Sequence, residues 1–353
     1  MRNQGIYYFN SHNEHETYIN GEDYKDPYVC YDQKHIHYNK IIDYSKEYFT
    51  IEALESGTMK AYINWYAAIG NGNIYYSFDK STWTSIFKHN ANDQYYQYYT
   101  NINVIKNQKI YFKGDYLPAS NYNLGGLKIS NDFKFNVSGN ILSLVYLDNF
   151  QNQEYLIQRS NLITSSSDFK WNSCNSEYNG VRYYRNMGEQ YMNIFAAMFK
   201  NNTNLISASN LVFSMKQVCD GAFSSMFYGC TSLVDFPQFV DGMVCWTDPF
   251  NYMFYGCTSL KKVEKFSPIF AHRISNNGSN RYCSNMFSGC TSLNYVKCLM
   301  TNPVESGTSE PFDMSNWLNG VSQTGTFIKR RNIYWSTGVS GIPSGWTVKN
   351  VFK

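Results

Sequence analysis

The residues able to do chemistry are few, and their spacing is loose. Four of the six histidines stand near the start of the chain: His12, His15, His35 and His37. Alternation along a strand places His35 and His37 on one face. An HxH pair of that kind can ligate a metal, above all around a threefold axis. No carboxylate or cysteine stands at a fixed spacing to complete a ligand set. The pair is therefore read as the solvated face of a docking hairpin built from residues 27–31 and 35–38, and no metal is assigned. Most of the nine cysteines crowd between Cys219 and Cys298 without forming CxxC pairs, which argues against a zinc ribbon. They are read as reduced thiols used as small buried hydrophobes. The alternative, a disulfide ladder, needs an oxidising compartment that nothing in the sequence marks. Paired carboxylates can hydrolyse glycans, but Glu52/Glu55 and Asp235/Asp241 carry nothing that sets them apart from surface acids. There is no nucleophile elbow, P-loop, HExxH helix or Rossmann glycine fingerprint. The expectation is a protein that is not an enzyme, with no catalytic residue and no cofactor.

Composition supports a binding or structural role. At about 150 residues per domain, 353 residues make two or three domains. With 43% hydrophobic and only 16% charged residues, the chain builds cores and is not a disordered tail. Thirty Lys+Arg against 27 Asp+Glu, net +3, is too balanced for a main partner of bare nucleic acid. The surplus lies in 32 Tyr, 24 Phe and 7 Trp, together with abundant Asn. Tyr and Asn form amphipathic contact surfaces at low entropic cost and suit strands and turns. An AT-rich genome would enrich part of this set. The first ten residues hold no apolar leader core, and the apolar stretch 141–147 is too short to span a bilayer. The chain is expected to be made and kept in a cytoplasm or released by lysis, without membrane insertion. The densest basic run, Lys329-Arg330-Arg331, is expected to solvate an edge ahead of a strand.

A repeat organises the second half. Met226-Phe-Tyr-Gly-Cys-Thr-Ser-Leu233 recurs as Met253-Phe-Tyr-Gly-Cys-Thr-Ser-Leu260 and as Met286-Phe-Ser-Gly-Cys-Thr-Ser-Leu293. A worn copy, Met198-Phe-Lys-Asn-Asn-Thr-Asn-Leu205, precedes them. There Asn201 takes the Gly position and Asn202 the Cys position, as befits a terminal repeat whose outer side has no neighbour. Phe195, Phe223, Phe250 and Tyr282 precede the units, and the pattern predicts a short helical turn ending in Met-Phe. Gly229, Gly256 and Gly289 fall where such a turn stops and the backbone needs positive φ. Cys230, Cys257 and Cys290 turn inward, and Leu233, Leu260 and Leu293 open short strands. One unit cannot bury its apolar face alone, whereas stacked copies make a continuous core. Met226, Phe227, Met253, Phe254, Met286 and Phe287, with those Gly, Cys and Leu residues, are thus scaffold. Function falls to the segments between units, the longest being 271–281 with His272, Arg273, Asn276 and Asn277.

The MFxGCTSL units resemble the BspA-like leucine-rich repeats of surface proteins from gut Bacteroidetes and of virion proteins from tailed, crAss-like phages that infect such hosts. The segments from Trp317 to Phe327 and from Trp335 to Trp346 are similar to the cap closing such arrays. The segments 133–140, 49–58 and 75–83 resemble the lead-in and the β-rich module that precede them. The resemblance implies a virion protein, a tail fibre or a tail- or capsid-associated part, whose repeat head adheres to the host surface or to another virion protein. Its short N-terminal tract would attach to other virion proteins, and its ligand would be a host glycan or protein. A bacterial cell-surface adhesin and a purely architectural decoration protein are the alternatives. Homo-oligomers are compatible with the class, although no heptad seam imposes one.

The elements that must position these residues are mostly strands. Residues 49–54, 60–63, 74–78, 104–112 and 133–146 are strand candidates, with turns at Gly57, Gly70 to Gly72 and Gly125-Gly126. They fit a small sandwich of two sheets. The segment 84–102, with Tyr95, Tyr96, Tyr98 and Tyr99, reads either as a solvated edge loop or as an aromatic platform for sugars or a protein. The expected architecture is mainly β with short helices: an N-terminal docking segment (1–48), a β-sandwich module (49–150), a linker (151–184), a leucine-rich-repeat solenoid (185–300) and a cap (301–353).

Overall fold

The computed structural model describes residues 7–9, 15–17, 47–63, 73–86, 98–114, 127–146, 176–178, 181–183, 195–214, 217–218, 221–241, 243–245, 248–270, 282–300 and 314–351. The chain divides into two units, Met1–Tyr44 and Ser45–Lys353. In the first, Tyr7–Phe9 pairs antiparallel with His15–Thr17, Phe9 opposite His15. The expected strands at 27–31 and 35–38, with His35 and His37, lie outside the described residues, as does His12. The second unit is mainly β, in several sheets, and the short segment Ser143–Tyr146 is the one helix among the described residues.

Two sheets share the first core. A three-stranded antiparallel sheet places Gly57–Ile63 between Tyr98–Val104 and Leu127–Asn131. A seven-stranded sheet runs in the order Gln238–Phe239, Leu205–Phe213, Phe135–Asn140, Phe49–Ala53, Lys109–Gly114, Ile74–Ser77, Thr84–Ser85. Alternation turns Met59, Ala61, Ile102 and Ile129 of one sheet, and Ile51, Phe112, Phe135 and Val137 of the other, into a single buried cluster. Phe135–Asn140 pairs parallel with Leu205–Phe213. The module and the repeats are therefore joined by a hydrogen-bonded sheet as well as by the chain. The expected strand 104–112 is in fact two strands in different sheets. They are divided by a turn in which Gln108 N donates to Ile105 O at 3.1 Å and Asn107 has φ 66°. Ile105 is 67% exposed there, so its apolar character does not mark a core position.

The helical turns expected before the repeat glycines are replaced by ribbons of successive reverse turns. In the tier 221–230, Ser224, Met226, Tyr228 and Cys230 donate their N–H to carbonyls three residues back. The alternate residues Phe223, Ser225, Phe227 and Gly229 donate instead to Pro249, Asn251, Met253 and Tyr255 of the next tier. An α-helix would satisfy its N–H groups within itself; here every second one leaves the segment. The pattern repeats from 195–202 through 248–257 to 282–290 and on to 314–320. Each ribbon places residues in the left-handed region: Ala197 and Asn201, Ser225 and Gly229, Tyr252 and Gly256, Asn285 and Gly289, Asn316 and Gly320. Gly and Asn recur there because they enter that region at least strain.

The fifth ribbon is a repeat that the sequence hides. Trp317 stands where the others have Met, since Phe287 N bonds Trp317 O as Phe254 N bonds Met286 O. The visible pattern is lost because Trp-Leu replaces Met-Phe and no Cys-Thr-Ser-Leu follows. The worn first copy also has a neighbour. Asn202 is 7% exposed, and its Nδ2 donates to Ile129 O at 3.3 Å and to Asn131 Oδ1 at 2.7 Å. Its polarity serves a buried bond to the three-stranded sheet, not a solvated end.

Side chains follow the ladder. Phe199, Phe227, Phe254 and Phe287 stack with centroids 5.5, 5.0 and 5.4 Å apart, close to the interstrand spacing of about 4.8 Å. The Met, Phe, Cys and Leu scaffold positions of the three intact copies are fully buried. Each thiol reaches back one tier at 3.0 Å: Cys230 Sγ to Phe199 O, Cys257 Sγ to Phe227 O and Cys290 Sγ to Phe254 O. After the leucines the chain runs into parallel strands, Lys262–Phe266, Tyr295–Cys298, Gly325–Arg330 and Trp346–Val351. Trp317 stacks on Trp335 at 5.2 Å and donates Nε1 to Gly341 O at 2.8 Å.

Candidate binding surface

Most of the surface residues named from sequence fall outside the described residues: Tyr95, Tyr96, His272, Arg273, Asn276 and Asn277. Tyr98 and Tyr99 do not lie in an edge loop. They begin the strand Tyr98–Val104, where Tyr98 opposes Ile63 and Tyr99 opposes Tyr62. Tyr99 is 52% exposed, so this part of the tract presents an aromatic ring from a rigid strand.

Around Tyr99 the structure assembles residues that sequence reasoning did not single out. Alternation buries Met59 and Ala61 and turns Lys60 and Tyr62 outward. Lys60 Nζ lies 4.3 Å from the Tyr99 ring centroid and 5.6 Å from that of Tyr62. Lys128 stands directly opposite Tyr62 on the next strand. That strand meets the first turn ribbon: Ile129 N donates to Met198 O at 3.0 Å, and Lys128 Nζ to Ala196 O at 2.6 Å. Lys200 projects from the same ribbon, its ammonium 4.9 Å from the Tyr228 ring centroid. Tyr228 stacks on Tyr255 of the following ribbon at 4.8 Å and 11°. Ladder order thus gives Tyr99, Tyr62, Lys128, Lys200, Tyr228 and Tyr255, one side chain per strand or ribbon. At about 4.8 Å per step the row covers roughly 24 Å. Ser288 and Asn319 take the same ribbon position beyond Tyr255.

The electrostatics of the row are unbalanced. Burial pushes the Lys128 amine down to about 7, and the neighbouring Lys200 charge adds to the shift. Among the described residues no carboxylate forms an ion pair with Lys60, Lys128 or Lys200, whereas Lys80, Lys109, Lys134, Lys262 and Lys265 each have one. Sequence carried a faint signal for this site. Lys60 and Tyr62 alternate, but Lys128 and Lys200 are far away in the chain and meet only through the ladder.

The other reactive groups are engaged in holding the fold. Asp235 accepts from Ser207 Oγ and Ala208 N, both at 2.6 Å. Asp241 binds Lys265 and accepts from Ser267 Oγ at 2.5 Å. Glu55 pairs with Lys134 and lies below its ordinary range, chiefly through the Lys134 backbone N–H. Glu52 faces Lys109 at 4.0 Å. Burial raises the thiols of Cys230, Cys257 and Cys290 well above their ordinary range. Arg330 lies within a strand and not ahead of one, with Nε on Leu299 O at 2.7 Å; Lys329 Nζ holds Ile333 O at 2.8 Å. No group of three potential metal ligands occurs among the described residues, and no described helix is long and apolar enough to cross a membrane.

Compared with known proteins, the chain matches no family model, no curated protein and no solved structure.

Proposed function

We propose that this chain is a non-enzymatic structural and adhesive protein of a tailed-phage particle. In this reading the tiers from 195 to 320 form a BspA-like leucine-rich-repeat solenoid with a C-terminal cap. The N-terminal segment docks on other virion proteins, and the repeat head faces the host surface. The observation that carries the reading is the row from Tyr99 to Tyr255, a line of rings and of ammonium groups that have no described carboxylate partner, mounted on a hydrogen-bonded ladder. Rigid aromatic side chains give contact area at low entropic cost. Several copies per particle would turn weak sites into avidity. The reading also draws on the resemblance of the MFxGCTSL units to phage and Bacteroidetes surface proteins.

Competition tests it. Soluble full chain, added to host cells before the particles, is expected to lower particle adsorption in a saturable manner. No competition by a chain that stays tightly bound in purified particles would favour a purely architectural role. An export signal in the parent gene, with the chain found on bacterial cells free of phage, would favour a bacterial adhesin.

A further inference from the structure

We propose that the row Tyr99, Tyr62, Lys128, Lys200, Tyr228 and Tyr255, with Lys60 beside it, binds an extended acidic polysaccharide, the carboxylates seated on the central lysines and the sugar faces against the flanking tyrosines. The inference deepens the adhesion reading and rests on it for its biological sense.

Three observations carry it. Lys128 and Lys200 stand at the middle of the row and Lys60 over its Tyr99 end; none of the three has a described carboxylate partner, which is a standing demand for an anion. Lys128 is half-buried and spends one N–H on Ala196 O, and no described carboxylate meets its remaining donors. The row is also long and shallow, and every position is one step of a hydrogen-bonded ladder. Its roughly 24 Å length suits a polymer in extended form better than a single sugar. A single-stranded nucleic acid offers a phosphate at every unit and calls for cations all along its track. Here three ammonium groups serve the whole row, with neutral rings between and beyond them, which matches a chain of sparser charge. Tyr62 stands opposite Lys128 from the neighbouring strand, and Lys200 with the Ala196 carbonyl meets it from the ribbon. An anion bound there would favour the protonated amine, so binding above neutral pH should take up a proton.

The probe is a purified oligogalacturonate, titrated calorimetrically into the full chain, with a neutral malto-oligosaccharide and oligo-dT of similar length alongside. The acidic sugar is expected to bind, more weakly with added salt, and to take up protons at about pH 8 when buffers of different ionisation heat are compared. Lys200→Ala and Lys128→Met should each weaken it by about tenfold or more, the loss of one charge-assisted bond. Unchanged unfolding midpoints, or a raised one for Lys128→Met, would show that these variants still fold. Equal or tighter binding of oligo-dT would overturn the proposal in favour of a nucleic-acid site. Binding of the neutral sugar at equal strength, or no binding of the acidic one, would also overturn it. Such a failure leaves the adhesion reading to stand or fall on particle competition alone.

Discussion

Replacing Lys128 by Met should stabilise the protein while weakening its proposed site, and the pH dependence of that gain tests the reasoning. The amine falls from 10.5 to about 7, and at about 1.36 kcal/mol per unit this caps the cost of the buried charge near 5 kcal/mol. Met keeps the stem and removes the charge. It also leaves Ala196 O without its donor, a loss of about 1 kcal/mol. A net gain of about 1–3 kcal/mol at pH 6 follows, in the range seen when buried charges give way to apolar side chains. Below about 7 the amine is protonated in both states, and the folded state bears the cost in full. Between about 7 and 10.5 the unfolded chain holds more protons, so wild-type stability rises with pH and the advantage of Lys128→Met shrinks. Urea unfolding followed by Trp fluorescence at about pH 6 and about pH 9.5 measures both limbs. A variant less stable than wild type at pH 6, or a gain equal at both pH values, would refute the argument.

Four further predictions concern the ladder. A Cβ at Gly256 meets nothing within 4 Å, but φ is +70°, so Gly256→Ala should cost about 1–2 kcal/mol from backbone strain alone. Gly325→Ala places a Cβ 2.5 Å from Asn294 O and 2.7 Å from the Trp346 ring, and its urea midpoint should fall further. Cys230, Cys257 and Cys290 should resist iodoacetamide in the native protein and react once it is unfolded, as read by peptide mass spectrometry. Labelling of these residues under native conditions would show that the ribbons open. A fragment of residues 195–353 should associate into oligomers in size-exclusion chromatography. It uncovers the edge of Leu205–Phe213 that Phe135–Asn140 pairs with, and Phe199, which packs on Phe49 and Phe135. A monomer with cooperative unfolding would contradict the shared sheet.

The sequence made the repeat legible because Met, Phe, Cys and Leu recur at positions whose burial is obligatory. It made the predominance of strands legible because period-two alternation survives at Phe49–Ala53 and Lys109–Gly114. Local reasoning failed where a bond partner decides the conformation. Glycine after Met-Phe reads as the stop of a helix, yet alternate N–H groups bond a neighbouring tier that no local pattern reveals. Trp317 and Asn202 departed from the consensus for partners far away, Gly341 and Ile129. The binding row was the least legible part, since Lys128 and Lys200 become neighbours only when the Leu127–Asn131 strand meets the first ribbon.

The most direct test of the adhesion account is binding of the fluorescently labelled full chain to intact cells of gut Bacteroidetes, set against a Lys60→Ala, Lys128→Met, Lys200→Ala variant shown to be folded. The account predicts saturable binding by the wild-type chain and its loss in the variant. Equal binding by both would overturn the row as the adhesive site, and no binding by the wild-type chain would contradict the account itself.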